Sequence, residues 1–291
     1  SLSMIHGISQ QLEQWREDDR VQAVLINSNS PKAFCAGGDI RFLYDSYQNG
    51  AANYQRYFAD EYHMLKSLRQ YAKPALVFLD GYVLGGGFGL AQACQIIVSS
   101  EKSRFAMPET AIGFFPDVGA THFLSRLDDI GVYMAVTGEQ ISSSDALHLD
   151  LIDYLVPSEH LEQLQIELAQ ATQLTQQSIE QTSARYLKEP APSELKQYED
   201  AIRQHFSHAE LAQIEDSLAN TLDSDYMDWA EKILANLQQR SLLAKQISLK
   251  LQHVGRGLSL EQCMQLERDL QDIWFEQGDM IEGVRALLID K

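Results

Sequence analysis

Short apolar runs alternate with longer amphipathic stretches through the first half of the chain, and in the second half only the helical periodicity continues. Val21 to Ile26 follows a charged helix end, and Ala75-Leu76-Val77-Phe78-Leu79 follows Lys73-Pro74. The second run is apolar at every position, which predicts a strand covered on both faces. Ile96-Ile97-Val98 and Leu151 to Val156 read the same way. Between the runs lie helices, the clearest spanning Asn53 to Tyr71. On it Tyr54, Tyr57, Phe58, Leu65 and Leu68 share one face at about 100° per residue. Strands alternating with helices predict an α/β layer fold. From about Glu159 the strand signals cease, and helical stretches rich in Gln, Leu and Glu follow. This places a boundary near residues 160–190. Within it Lys188-Glu189-Pro190-Ala191-Pro192-Ser193 is the most linker-like segment, because its two prolines break any helix through it. The expected division is a core over residues 1–185 and a helical C-terminal region over 186–291. Ser259-Leu260-Glu261-Gln262 has capping-box spacing and should start one of the last helices.

Composition narrows the setting. At 291 residues and 45% hydrophobic, the chain can bury a sizeable core. A net charge of −18 with no basic block argues against nucleic acid or an anionic membrane as partner, and an anionic ligand would need local donors. Cys35, Cys94 and Cys263 are too few and too scattered for a disulfide framework, and no cysteine or histidine cluster has metal-ligand spacing, so no metal is expected. A reducing cytoplasm fits this usage. No apolar run approaches the roughly 20 residues that cross a bilayer, and Ser1-Leu2-Ser3 does not open a secretory signal. The abrupt start points to a segment preceding Ser1.

Three segments carry candidate chemistry. Met107 to Gly119 sets Glu109 and Asp117 eight positions apart among apolar and turn-forming residues. A buried acid loses several kcal/mol of solvation, so these two are surface residues, paired residues or chemistry. The other segments are glycine turns, Phe34-Cys35-Ala36-Gly37-Gly38-Asp39 and Gly81-Tyr82-Val83-Leu84-Gly85-Gly86-Gly87-Phe88-Gly89. Each follows an apolar strand and leads into a helix, where backbone N–H groups favour negative charge. They are either tight turns required by packing or the two halves of an oxyanion hole, in which losing one donor typically costs roughly 10²–10³ in rate. The second turn is not a dinucleotide or phosphate loop, since position 90 is leucine and no GK[ST] follows. Glu61 sits within the apolar stripe of the Asn53 helix and either faces inward or reaches the stripe's edge to pair with an arginine. Cys35 has no histidine obviously placed to activate it, and no GxSxG elbow exists for a serine nucleophile. His63 and His122 are taken as structural, and Trp274 as a core or interface residue.

Lys32-Ala33-Phe34-Cys35-Ala36-Gly37-Gly38-Asp39, the triple-glycine turn and Pro108-Glu109-Thr110-Ala111-Ile112-Gly113 occur in order at a spacing that resembles the enoyl-CoA hydratase/isomerase (crotonase) superfamily. The resemblance covers roughly residues 5–160, and Glu282 to Ala286 is also similar. It implies an α/β fold built as a spiral of ββα repeats with a helical C-terminal region, whose usual first two strands have no counterpart here. It implies an acyl-CoA substrate, no cofactor beyond the coenzyme A that the substrate carries, and a homo-oligomer, trimer or hexamer. By the same resemblance the amides of Gly38 and Gly86 hold the thioester oxygen and Ala36 lies near the adenine. Hydratases of the superfamily use two glutamates, and the first of those positions is Gly89 here, while Glu109 matches the second. Asp117 stands where hydratases commonly carry glycine. Phe105 to Asp117 is similar to the subgroup that cleaves the 3-hydroxyisobutyryl-CoA thioester in valine catabolism, in which a glutamate matching Glu61 lines the substrate pocket. The expected activity is therefore thioester hydrolysis, with Glu109 as base or nucleophile. Asp117 and Glu61 would bind the β-hydroxyl, position water or protonate the thiolate. The alternatives are an enoyl-CoA hydratase or isomerase using Glu109 alone and a non-catalytic acyl-CoA-binding protein.

Overall fold

The computed structural model describes residues 1–51 and 53–290. Its strands are β1 (Val24–Ile26), β2 (Ala33–Cys35), β3 (Ala75–Leu79), β4 (Tyr82–Leu84), β5 (Ile96–Ser100), β6 (Arg104–Ala106), β7 (Ile141–Ser142) and β8 (Tyr154–Val156). They form two sheets, ordered β1-β3-β5-β8 and β2-β4-β6-β7. In each of the pairs β1/β2, β3/β4 and β5/β6 the first strand joins one sheet and the second joins the other. Each pair thus adds a layer to both sheets, which is the spiral of ββ units expected of the fold. Neighbours in the first sheet are parallel, with Val24 opposite Ala75, Leu76 opposite Ile96 and Val98 opposite Tyr154. In the second sheet β2 and β4 are parallel, and β6 and β7 antiparallel.

The apolar runs explain this placement. Every residue of β3 and of β5 is buried, as a strand covered on both faces requires. Alternate residues point to opposite faces, so Leu76 and Phe78 of β3 join Ile96 and Val98 of β5 against Leu161, Leu164 and Leu168 of the helix Leu161–Gln170. The strands predicted from Val21 and Leu151 begin later, at Val24 and Tyr154, and the helix from Asn53 ends at Arg69. Residues 188–193 form neither helix nor strand. Ser259 caps the helix Leu260–Gln277 with the full capping box. No helix among the described residues is long and apolar enough to cross a membrane, and the three cysteines are free.

The chain groups into two compact units. Ser1–Gly38, Ala59–Phe105 and Ile141–Glu194 make the first, which carries the sheets. Asp39–Phe58, Ala106–Gln140 and Leu195–Lys291 make the second. At the centre of the second unit is the helix Asp128–Thr137, buried at every residue from Ile130 to Thr137, as a helix apolar all round must be. It packs against the helices Ala120–Ser125, Glu199–Phe206 and Leu242–Gly255. Gly131 makes the first of these contacts possible, because a Cβ there would fall 1.8 Å from the Leu124 carbonyl oxygen. Backbone cannot yield to a methyl group as a side chain can. Gly131→Ala is expected to destabilise the protein by about 1–3 kcal/mol or more, read as a lower urea midpoint, and an unchanged midpoint would contradict this packing.

Candidate active site

The first unit supplies two glycine turns and one acid. Gly37 has φ +106°, and Gly85, with φ +52°, precedes the helix Gly86–Ala93. Both conformations are open to glycine at little cost. Gly87 serves a different purpose, since a Cβ on it would lie 2.6 Å from both Cβ and the carbonyl oxygen of Cys35. The turn after β2 therefore packs directly on the helix start. That contact fixes Gly38, whose amide nitrogen lies 3.7 Å from the point a Gly86 Cβ would occupy. Glu61 Oε1 lies 3.2 Å from the same point. Of the two placements open to Glu61, the inward one is taken, since it is only 8% exposed and its helix neighbours Tyr57, Phe58, Leu65 and Leu68 are buried with it. Burial pushes its carboxyl up to about 7. Ala36 is exposed on the same turn as Gly38. Cys35 is half-buried, its thiol donating to the Gly37 carbonyl, and burial raises its pKa, which leaves it a poor nucleophile.

The second unit carries Glu109 and Asp117. Glu109 opens a short 3₁₀ turn, Glu109–Ile112, directly after β6. It is 8% exposed, and its Oε2 has no hydrogen-bond partner. Burial pushes its carboxyl up to about 8; its own backbone amide offsets part of this, and the charge of Glu267 adds to the rise. An acid tuned to that range can exchange a proton near neutral pH. Asp117 is buried as well, and its Oδ2 accepts a 2.7 Å bond from Gln271 Nε2.

One helix holds the segment that runs from these acids into the helix Ala120–Ser125. Glu267 Oε2 accepts from the Gly119 amide and its Oε1 from the Thr121 amide, both at 2.8 Å. These bonds hold the two amides just after Val118, a β-branched residue at φ +54°. Such a residue seldom enters the left-handed region unless its surroundings impose it, and strain of this kind clusters at functional sites. Trp274 Nε1 donates to the Gly113 carbonyl at 2.8 Å, and its ring meets Phe115 edge-on at 5.1 Å. Glu267, Gln271 and Trp274 all come from the helix Leu260–Gln277. Trp274 is a core residue, as expected, with a hydrogen-bonding task in addition. Glu267 and Gln271 were not singled out from the sequence. The signal was present, because Cys263, Glu267, Gln271 and Trp274 fall on one helical face and all are buried, so two polar residues stand inside an apolar stripe.

Residues 1–291 match the family model described as enoyl-CoA hydratase/isomerase. The chain belongs to that family. Among curated proteins it is similar to the mitochondrial 3-hydroxyisobutyryl-CoA hydrolase of Xenopus laevis, at 35% identity over 297 residues, covering 100% of this chain and 76% of the relative. Among solved structures it is similar to a carnitinyl-CoA dehydratase from Mycobacterium thermoresistibile, with a TM-score of 0.91 and 28% identity over 99% of this chain and 83% of the other. An enoyl-CoA hydratase from Rhodobacter sphaeroides 2.4.1 gives a TM-score of 0.88 and 30% identity, covering 99% and 82%. The family thus spans both hydrolase and hydratase names at similar distance from this chain, and the acids must separate them. Gly89, at the position where the hydratase resemblance expects a glutamate, lies buried within the helix Gly86–Ala93 and has no side chain to offer.

Proposed function

We propose that the chain hydrolyses a short 3-hydroxyacyl-CoA thioester, 3-hydroxyisobutyryl-CoA, to 3-hydroxyisobutyrate and free coenzyme A, the reaction of valine degradation. The observation that carries the proposal is the combination of buried Glu109 and Asp117 with glycine at position 89. The resembling hydratases add water with a second glutamate at the position that is Gly89 here, whereas hydrolysis of a thioester needs one base and a site for the oxyanion. The hydrolase name of the Xenopus relative supports the same choice. The dehydratase and hydratase titles of the solved structures favour a double-bond reaction as the second reading.

In the proposed mechanism the Gly38 and Gly86 amides donate to the thioester oxygen as it takes up negative charge. Glu109 removes a proton from water, whose oxygen bonds to the carbonyl carbon, or attacks that carbon itself to give a mixed anhydride that water then opens. Collapse of the tetrahedral intermediate breaks the C–S bond, and the thiolate takes up a proton. Heavy-oxygen water in a single turnover separates the two routes, since only the anhydride leaves label in the Glu109 carboxyl. Asp117 binds the β-hydroxyl, and Ala36 lies along the adenine. Glu61 works as the neutral acid, because an ionised carboxylate beside Gly38 and Gly86 would oppose the oxyanion. No cofactor takes part, as coenzyme A enters with the substrate. A homotrimer or hexamer and a reducing compartment, the cytoplasm, complete the proposal, although the Xenopus relative's name is mitochondrial.

The protonation states make a pH test. Glu109 must lose its proton, so kcat/KM is expected to rise as pH approaches about 8. Glu61 must keep its own, and the fraction that does so shrinks as pH passes about 7, so activity is expected to fall once pH climbs beyond the midpoint of the two values. The profile should be a bell peaking between the two values, and Glu61→Gln should lose the alkaline fall. A pH-independent rate from 6 to 9 would count against both assignments. Release of free thiol from a 3-hydroxyacyl-CoA tests the proposed function itself.

A further inference from the structure

We infer that Gln271 and Glu267 are positioning residues, holding Asp117 and the strained turn behind it so that the acid segment keeps its catalytic geometry. The inference rests on the hydrolase function proposed above. Its basis is a set of bonds that admit one arrangement. Gln271 is 1% exposed and its amide is held at both ends, with Arg268 Nη1 donating to its Oε1 at 3.0 Å while its Nε2 donates to Asp117 Oδ2 at 2.7 Å. A guanidinium can only donate, so the amide oxygen must face Arg268 and the nitrogen must face Asp117. Gln271 is therefore fixed as a donor to Asp117, one of whose carboxylate oxygens it ties down. The guanidinium also polarises the amide and strengthens that bond.

Glu267 acts on the backbone of the same segment. Its two oxygens take the amides of Gly119 and Thr121, at the helix start that directly follows Val118 at φ +54°. A valine there costs about 1–3 kcal/mol and stays only while its surroundings impose it. Losing the Glu267 bonds removes the two amide anchors that follow Val118 and loosens the backbone that carries Asp117 to Gln271. Glu267 is itself 0% exposed. A buried carboxylate is retained at a cost in solvation, and here it is compensated by two amide donors. Gln271 lies one helical turn beyond Glu267, so a single rigid helix sets both the side chain and the backbone of the acid segment.

A double-mutant cycle tests the assignment, with thiol release from a 3-hydroxyacyl-CoA as readout. Gln271→Leu in the wild-type background is expected to lower kcat/KM about 10²-fold, the usual consequence of misplacing a reacting group by an ångström. In an Asp117→Asn background the same substitution is expected to change the rate less than about threefold, because the group it positions is already altered. Equal losses in both backgrounds would overturn the assignment and leave Gln271 a packing residue. If Gln271→Leu fails to fold, Gln271→Asn, which keeps the donor but shortens its reach, takes its place in the cycle under the same criteria. Glu267→Gln, which keeps one acceptor, is expected to retain more activity than Glu267→Leu, and equal activity would contradict the backbone role. A wild-type protein that releases no thiol overturns the hydrolase function, and the positioning role with it, before any variant is compared.

Discussion

Glu109→Ala is expected to lower thiol release from a 3-hydroxyacyl-CoA by roughly 10²–10⁴-fold, the range that a positioned base contributes. The residue is buried with one oxygen unbonded and is held near neutral proton affinity, a costly condition for an acid with no task. Its cost shows in stability as well. Between the ordinary value of 4.5 and about 8, the folded chain keeps a proton on Glu109 that the unfolded chain releases. Its contribution to stability is therefore complete in acid and is lost as pH rises toward about 8. Glu109→Gln cannot ionise, so relative to wild type it should become more stable as pH rises across that window while remaining inactive. Steady-state assays and thermal unfolding at acidic and alkaline pH check the two outcomes together. Near-normal hydrolysis by Glu109→Ala would remove the residue from the mechanism.

Gly87→Ala is expected to damage the first unit's glycine turns severely. The added carbon would meet Cys35 Cβ and the Cys35 carbonyl oxygen, each at 2.6 Å, so the turn that carries Gly38 has to move. The expected loss is roughly 10²–10³ in kcat, as for removal of one oxyanion donor. KM should change less, because the donor acts mainly in the transition state. Cys35→Gly in the same chain removes the side-chain clash but leaves the carbonyl one, so partial recovery is expected. Substrate titrations of the single and double variants check both statements. A wild-type kcat for Gly87→Ala would show that the position of Gly38 does not matter to the reaction.

Much of the fold was legible because burial writes itself into residue type. A run of five apolar residues became β3, buried at every position. Helical spacing put Glu61 in the apolar stripe but left open whether it faced inward or reached the edge, a choice that its burial decides. The capping box at Ser259 was readable because it is purely local. The assignment of alternate strands to two sheets was not readable, since pairing joins residues such as Leu76 and Ile96 that share no local pattern. Val118 in a left-handed turn was unreadable for the opposite reason, because its own preference points away from that conformation. Gly87 announced a close approach, but nothing along the chain named Cys35 as its neighbour. Gln271 lies 154 positions from Asp117, and only the helical stripe hinted that it faced inward.

Thiol release by the wild-type protein from a 3-hydroxyacyl-CoA, measured beside hydration of the matching enoyl-CoA, tests the central claim most directly. Rapid release of free coenzyme A from 3-hydroxyisobutyryl-CoA with no consumption of the enoyl-CoA double bond is the expected result. Turnover of the enoyl-CoA without free thiol would contradict it and establish the hydratase reading despite the glycine at position 89.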